Sequence, residues 1–137
     1  MPEERYDVIV ASLCQIPVDL FEPVVSHRPL DYWGRALVDH LFRMLSEALA
    51  DDGTAYVMQL SIIGERRTTQ LLDRLGYQAR VVDFGLFEFT GLVSDARDQI
   101  ARVEELSDAY HLKLGATDVM AAYLLEITRK DKDTTRP

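Results

Sequence analysis

The sequence has little cysteine and no long apolar run. Its 137 residues contain one cysteine, Cys14, so no internal disulfide can form, and a reducing, cytoplasmic location is expected. No apolar stretch reaches the roughly 18 residues of a membrane-spanning helix. The first residues are acidic, unlike the basic start of a secretion leader. These absences exclude a disulfide-stabilised scaffold and predict no membrane partner.

Positive charge is also scarce. Fifteen Lys and Arg residues face 23 Asp and Glu residues, which gives a formal net charge of -8. Nucleic acids and anionic membranes repel such a surface, so neither is expected as a partner. The three histidines, His27, His40 and His111, lack the clustered carboxylates or cysteines of a metal site, and no metal is predicted.

What is present is the pattern of one α/β domain. The hydrophobic content of 47% is enough for a core. Residue periodicity and turn signals predict strands at 6–11, 54–62, 77–84 and 119–128, with a continuation of the third at 87–90, and helices at 31–50, 65–75 and 94–112. Residues 1–130 form the predicted domain, and 131–137 form a charged tail. Such alternation favours a largely parallel sheet, and the third and fourth strands could instead be antiparallel at one edge.

The first predicted strand, YDVIVA at residues 6–11, is expected to have an unsatisfied edge. Its consecutive Val and Ile residues are typical of a strand covered on both faces, and such a strand needs neighbours on both edges. Later strands of the chain can supply one neighbour. The sequence therefore predicts that a partner completes the sheet.

Three segments together resemble the second half of the class I S-adenosylmethionine-dependent methyltransferases, over residues 6–130. The family's strand (F/Y)-D-(V/I)-(V/I)-(V/I) is similar to Tyr6–Ala11, and its N-P-P-(Y/Q) loop is replaced by Ser12–Gln15 (SLCQ). The family's L-x-x-G-G before an apolar strand is similar to Leu49–Gly53 and YVMQL at residues 56–60. Its L-x-x-x-G-(F/Y)-x-x-x-V-V is similar to Leu72–Val82.

The resemblance implies a partial Rossmann-like sheet. The four strands would be the fourth to seventh of seven, with the last one inserted antiparallel. The family's glycine-rich donor loop belongs to its first half, and no G-x-G-x-G occurs in this sequence. We therefore expect S-adenosylmethionine to bind only in a complex with a protein partner that supplies that half.

Candidate site residues follow from the loop that replaces N-P-P-(Y/Q) and from the ends of strands, where open α/β sheets bind ligands. Ser12 and Gln15 are candidates for the donor side, and Gln15 also for catalysis. His111, near Asp108 or Tyr110 at the end of the last predicted helix, is the best acid-base candidate. Candidates for binding a small-molecule substrate are Ser12, Cys14, Tyr32, Trp33, Arg35 and Gln59.

Each candidate also has a structural interpretation. Cys14 has no base near it in sequence, and Tyr32 and Trp33 are equally typical of core or interface packing. The alternatives to a split methyltransferase are a non-catalytic regulatory subunit with a methyltransferase-like fold and a truncated remnant. A homodimer that pairs its own first strands is a third arrangement.

Overall fold

A computed structural model describes residues 4–17 and 33–130 of the chain. The described strands are β1 (Tyr6–Ala11), β2 (Leu49–Leu60), β3 (Tyr77–Glu88), β4 (Leu112–Leu114) and β5 (Thr117–Arg129). The described helices are α1 (Ala36–Ala48), α2 (Arg66–Leu75), α3 (Gly91–Asp95) and α4 (Arg97–Leu106), and a 3₁₀ turn at Ser61–Ile63 follows β2. None of the described helices is long and apolar enough to cross a membrane.

The strands form one mixed sheet in the order β1-β2-β5-β3, and β4 makes a hairpin with β5. Strands β1 and β2 are parallel, whereas β5 is antiparallel to both of its neighbours β2 and β3. The last strand is therefore inserted antiparallel between two strands that precede it in the chain. The α/β class with a partial Rossmann-like sheet and an antiparallel last strand, predicted from the sequence, is confirmed.

Helices cover one face of this sheet, which we call the helix face. On β2 the side chains of Ala55, Val57 and Gln59 are buried, whereas the alternating Tyr56, Met58 and Leu60 are half-buried. The core joins the helix-face residues to α1 (Val38, Phe42, Leu45), α2 (Leu71, Leu72) and α4 (Ile100). The opposite face, which carries Tyr56 and Met58, is called the open face below.

Two helix predictions need correction. The predicted helix at 94–112 is divided into α3 and α4 and ends at Leu106, so His111 lies in the segment before β4 and not on a helix. The chain leaves the helix because Ser107 is extended, and its hydroxyl bonds to Val103 O and Ala109 N. The predicted helix at 31–50 is α1, which starts at Ala36 and ends at Ala48, and β2 starts at Leu49 instead of residue 54.

Two strand predictions also change. Strand β3 continues through Gly85 to Glu88, and its irregularity is a β-bulge between Val81 and Asp83. Strand β4 was not predicted from the sequence. It pairs with β5 through a tight turn at Gly115, whose φ of 65° favours glycine. The predicted tail at 131–137 lies outside the described residues.

Candidate functional site

Most of the predicted site residues gather at the edge of the sheet where the parallel strands end. The loop after β1, the turn after β2 and the segment before β4 meet there. A Cβ added to Gly34 would lie 2.8 Å from Pro17 N and 3.0 Å from Ile63 Cγ2, so residues 33–35 pack directly on both loops. Tyr110 N donates to Ser61 O at 2.9 Å, which brings the segment before β4 to the same place. The sequence expectation of a shared edge is therefore met by the fold.

The side chain of Gln15 forms hydrogen bonds with the β2 backbone at this edge. Its side chain is buried, with Nε2 donating to Met58 O at 2.5 Å and Oε1 accepting from Leu60 N at 2.7 Å. These are the two groups that a neighbouring strand would otherwise satisfy, since β1 ends its pairing with β2 at Ala11. The amide thus extends the sheet beyond β1, and both of its polar atoms are occupied.

Arg35 is the centre of a buried polar cluster that ties α1 to α2. Its Nε and Nη2 donate to Asp39 Oδ1 at 3.0 and 2.8 Å, and its Nη2 also donates to Thr68 Oγ1 at 2.7 Å. Its Nη1 donates to Gly64 O at 3.0 Å. Burial lowers the pKa of Arg35 below its ordinary value, and Asp39 opposes that shift. Arg35 is 2% exposed, so it lies in the protein interior and does not line an open site.

Gln59 lies on the helix face and is also buried. Its Nε2 donates to Gly64 O at 2.5 Å, so Gln59 and Arg35 hold the same carbonyl oxygen. Its Oε1 has no hydrogen-bond partner within the described residues. Gln59 is thus a predicted site residue that keeps an uncommitted buried acceptor.

Asp108 caps α2 and was expected beside His111. Its Oδ2 accepts from Glu65 N at 3.1 Å and from Arg66 N at 2.8 Å, which satisfies two free donors at the helix start. The carboxylate approaches so closely that a Cβ on Gly64, whose φ is 82°, would lie 2.6 Å from Asp108 Oδ1. A glycine at position 64 is therefore required by both conformation and space.

The pKa of Glu65 depends on the charge of Asp108. Burial raises the pKa of Glu65 above its ordinary value, and Asp108 raises it further. An acid whose pKa is raised in the folded protein lowers the free energy of unfolding at a pH above that pKa. This loss of stability disappears as the pH falls below the raised pKa towards the ordinary value. We expect Asp108→Asn, which keeps an oxygen for the cap, to lower the pKa of Glu65 towards its ordinary value and to reduce this cost.

An NMR titration of the Glu65 carboxyl group measures this change. Asp98→Asn is the matched control, because Asp98 is an exposed acid that does not contribute to the pKa of Glu65. The control should leave the titration unchanged. A Glu65 titration that is identical in the wild-type and Asp108→Asn proteins would contradict the assignment.

His111 lies between two carboxylates. Its Nδ1 is 2.5 Å from Glu104 Oε2, and its Nε2 is 3.5 Å from Asp118 Oδ1. The ring packs against Phe89 at 5.1 Å between centroids. Glu104 therefore orients the ring through Nδ1, and Nε2 is the ring nitrogen on the side of Asp118.

The charge of Asp118 is already balanced. Arg97 Nη1 contacts its Oδ2, and Lys113 Nζ lies 3.5 Å from its Oδ1. Asp118 is buried, whereas Arg97 and Lys113 are at least half-exposed. The cluster of Glu104, His111 and Asp118 is thus a half-buried acid-base group at the edge where β3 ends and β5 begins. Neither this cluster nor any other group of His, Cys, Asp and Glu side chains in the described part of the chain has an arrangement that could hold a metal ion.

The remaining predicted residues are more exposed. Ser12 and Cys14 are exposed in the loop after β1, and Cys14 is a free thiol. Trp33 is half-buried beside Gly34. Tyr32 lies outside the described residues. Of the predicted set, the structure brings Gln15, Arg35, Gln59 and His111 to one edge of the sheet.

Sequence reasoning missed the partners of these residues. Asp39, Thr68 and Arg67 surround Arg35, and Glu104 and Asp118 flank His111. The spacing of Arg35 and Asp39, one helical turn, was a usable signal for the first pair. The position of Asp118 beside His111 could not be predicted, because it depends on the β4–β5 hairpin, which was not predicted either.

The outer edge of β1 and the open face beside it form the second feature of interest. Within residues 4–17 and 33–130, β1 pairs only with β2. Val8 and Val10 are 58% and 75% exposed on the open face, next to half-buried Tyr56 and Met58. Exposed apolar edge strands are uncommon in folded proteins, since they promote association with other chains. The predicted unsatisfied edge is present among the described residues.

No known family model matches this chain, and no curated protein matches its sequence.

Proposed function

We propose that this chain is one part of a split S-adenosylmethionine-dependent methyltransferase that modifies a small molecule. The observation that carries the proposal is the strand order β1-β2-β5-β3 with β5 antiparallel. The resemblance implies that the four main strands are the fourth to seventh of seven with the last one inserted antiparallel, and β5 is inserted in this way. The single cysteine is consistent with action in the cytoplasm.

The free edge of β1 supports the second part of the proposal, a protein partner. If β1 is the fourth of seven strands, the donor half would join at its outer edge, because the other edge of β1 is paired with β2. Val8 and Val10 extend the contact surface onto the open face, where Met58 and Leu60 are half-buried. The partner supplies the glycine-rich donor loop that this sequence lacks. It would add strands to β1 and place helices on the open face.

The chemistry proposed for this chain is proton removal from the acceptor. S-adenosylmethionine bound in the complex would supply the methyl group from its sulfonium to an oxygen or nitrogen of the acceptor, and would become the neutral thioether. The proton of the acceptor moves to Nε2 of His111, whose Nδ1 is held by Glu104. Ser12 and Cys14, exposed after β1, lie where the acceptor would contact this chain. Orientation of the two substrates supplies most of the acceleration.

A non-catalytic subunit is the second candidate. The observation that favours it is the internal bonding of Gln15 and Arg35, which leaves these two predicted residues with no described free group for a substrate. In that case the chain would complete and stabilise the sheet of an enzyme whose catalytic groups all belong to the partner.

The β1 edge can be tested by the substitution Val10→Lys. Because Val10 is 75% exposed, the free chain should lose no more than about 0.5 kcal/mol of stability. In the complex the ammonium would be buried without a counter-ion, so affinity for the partner should fall more than about tenfold. Affinity capture on the tagged chain from its native source, followed by mass spectrometry, identifies the partner, and titration of the purified pair measures the affinity.

Leu92→Lys is the matched control. Leu92 is 70% exposed on α3, away from β1, and its replacement should leave the affinity unchanged. A partner that carries a glycine-rich loop and is lost only with Val10→Lys supports the proposal. Equal binding by wild-type and Val10→Lys chains would contradict the use of this edge.

A further inference from the structure

The outer edge of β3 is a second free edge, at the opposite side of the sheet from β1. None of the described residues pairs with it, and β3 has 12 residues. Five large apolar side chains on this strand are 41–65% exposed: Val81, Val82, Phe84, Leu86 and Phe87. A long apolar edge of this kind is an association surface, and charges and bulges along it restrict which strand can pair with it and in which register.

The bulge of β3 gives this edge an unusual charge pattern. Arg80 is opposite Glu126, and Asp83 is opposite Leu124, on β5. Glu126 and Leu124 are two residues apart and share the open face, so Arg80 and Asp83 share it too. In a regular strand two residues three apart would point to opposite faces. The extra residue, Val82, therefore places one positive and one negative charge on the same face of a free edge.

We propose that two copies of this chain associate by antiparallel pairing of their β3 edges, about a twofold axis between Val81 and Val82. In this register Arg80 of each copy is opposite Asp83 of the other. Its Nε already bonds to Glu126 of its own chain, and its Nη groups would bridge to Asp83 of the second copy, twice across the axis. The proposal does not depend on the proposed function, because β1 and the strand-end site lie elsewhere.

Side-chain size supports the same register. On the helix face it places Phe84, which is 65% exposed, opposite Ala79 of the second copy. On the open face it places Gln78 opposite Gly85. Each pair combines a large residue with a small one and keeps both on one face of the joined sheet. In this register, paired residues share a face of the sheet, opposite charges face each other and large side chains face small ones.

Self-pairing through the first strand was left open by the sequence, and the charge pattern favours β3 instead. Strand β1 has a single charged residue, Asp7, so antiparallel pairing of two β1 strands offers no opposite charge of its own. Arg80 and Asp83 supply both signs on β3. The two free edges therefore have different occupants, a protein partner on β1 and a second copy on β3.

Charge exchange tests the register directly. Sedimentation velocity of the purified chain should show a dimer, and Asp83→Arg should weaken association by about tenfold or more, because arginine then faces arginine twice. Arg80→Asp should do the same with aspartate. Mixing the two variants should restore a heterodimer, because each arginine of one variant then faces an aspartate of the other. The double variant Arg80→Asp/Asp83→Arg should again form a homodimer.

Controls separate the β3 edge from other effects. Glu105→Arg makes the same charge change at an exposed site on α4, and Val10→Lys changes the β1 edge; both should leave the dimer intact. Thermal melting checks that Arg80→Asp remains folded, since Arg80 also bonds to Glu126 at 2.7 Å. A wild-type chain that is monomeric at its highest soluble concentration would overturn the proposal. A dimer that survives Asp83→Arg, or one that Val10→Lys dissociates, would do so as well.

Discussion

Asp39→Ala should lower the free energy of unfolding by about 3–5 kcal/mol, because it leaves the buried Arg35 guanidinium without its counter-ion. Asp39 is fully buried and contacts Arg35 through Oδ1 and Arg67 through Oδ2. The remaining acceptors of Arg35, which are Ile63 O, Gly64 O and Thr68 Oγ1, are neutral. Their dipoles cannot replace a full negative charge in a site that water does not reach.

Chemical denaturation measures this loss, and Arg67→Ala is the matched control. Arg67 is half-exposed and makes one bond to Asp39, so its removal should cost less than about 1 kcal/mol. The double variant Arg35→Met/Asp39→Leu replaces the pair with apolar side chains and should recover most of the loss. If Asp39→Ala were as mild as Arg67→Ala, the cluster would not hold α1 to α2 as described.

His111→Asn should reduce turnover by the reconstituted complex by about 10²–10⁴-fold, if His111 takes the proton of the acceptor as proposed. The affinity for the protein partner should not change, since β1 lies apart from this residue. Glu104→Gln should give a smaller loss in the same direction, because the amide can still contact Nδ1 but carries no charge to stabilise the protonated ring.

Single-turnover kinetics with saturating partner and donor separate this chemical effect from binding. His40→Asn is the control, since His40 is exposed on α1 and contacts none of the strand-end residues described above. Unchanged turnover in His111→Asn with an intact complex would remove the catalytic assignment and favour the non-catalytic subunit.

The fold was largely predictable because its signals are local. Strand β1, helix α2 and its stop at Gly76 follow from residue type and short-range pattern, and Gly76 adopts the expected left-handed conformation with φ 91°. The antiparallel last strand came from the resemblance and not from propensity. The break at Ser107 was missed, because its hydroxyl competes with the helix through a bond to Val103 O that depends on the surrounding structure.

The candidate site was predictable in position and only partly in detail. Gln15 was proposed because it follows a strand, and His111 because histidine suits acid-base chemistry. The fold places both at the edge of the sheet where the parallel strands end. Their partners come from distant parts of the chain, Met58 for Gln15 and Asp118 for His111. Residue type shows that a side chain is polar, whereas only the packed structure shows that Gln15 is fully occupied by the backbone. The uncommitted acceptor of Gln59 could not be read from the sequence for the same reason.

We propose that this chain acts only when a protein partner adds strands to β1 and completes the sheet. The most direct test of this claim is a calorimetric titration of S-adenosylmethionine into the chain alone, the partner alone and the complex. We expect saturable binding at one site per complex, with weak or no binding to the chain alone. Tight binding to the chain alone would contradict the claim, and so would a stoichiometric complex that binds no donor.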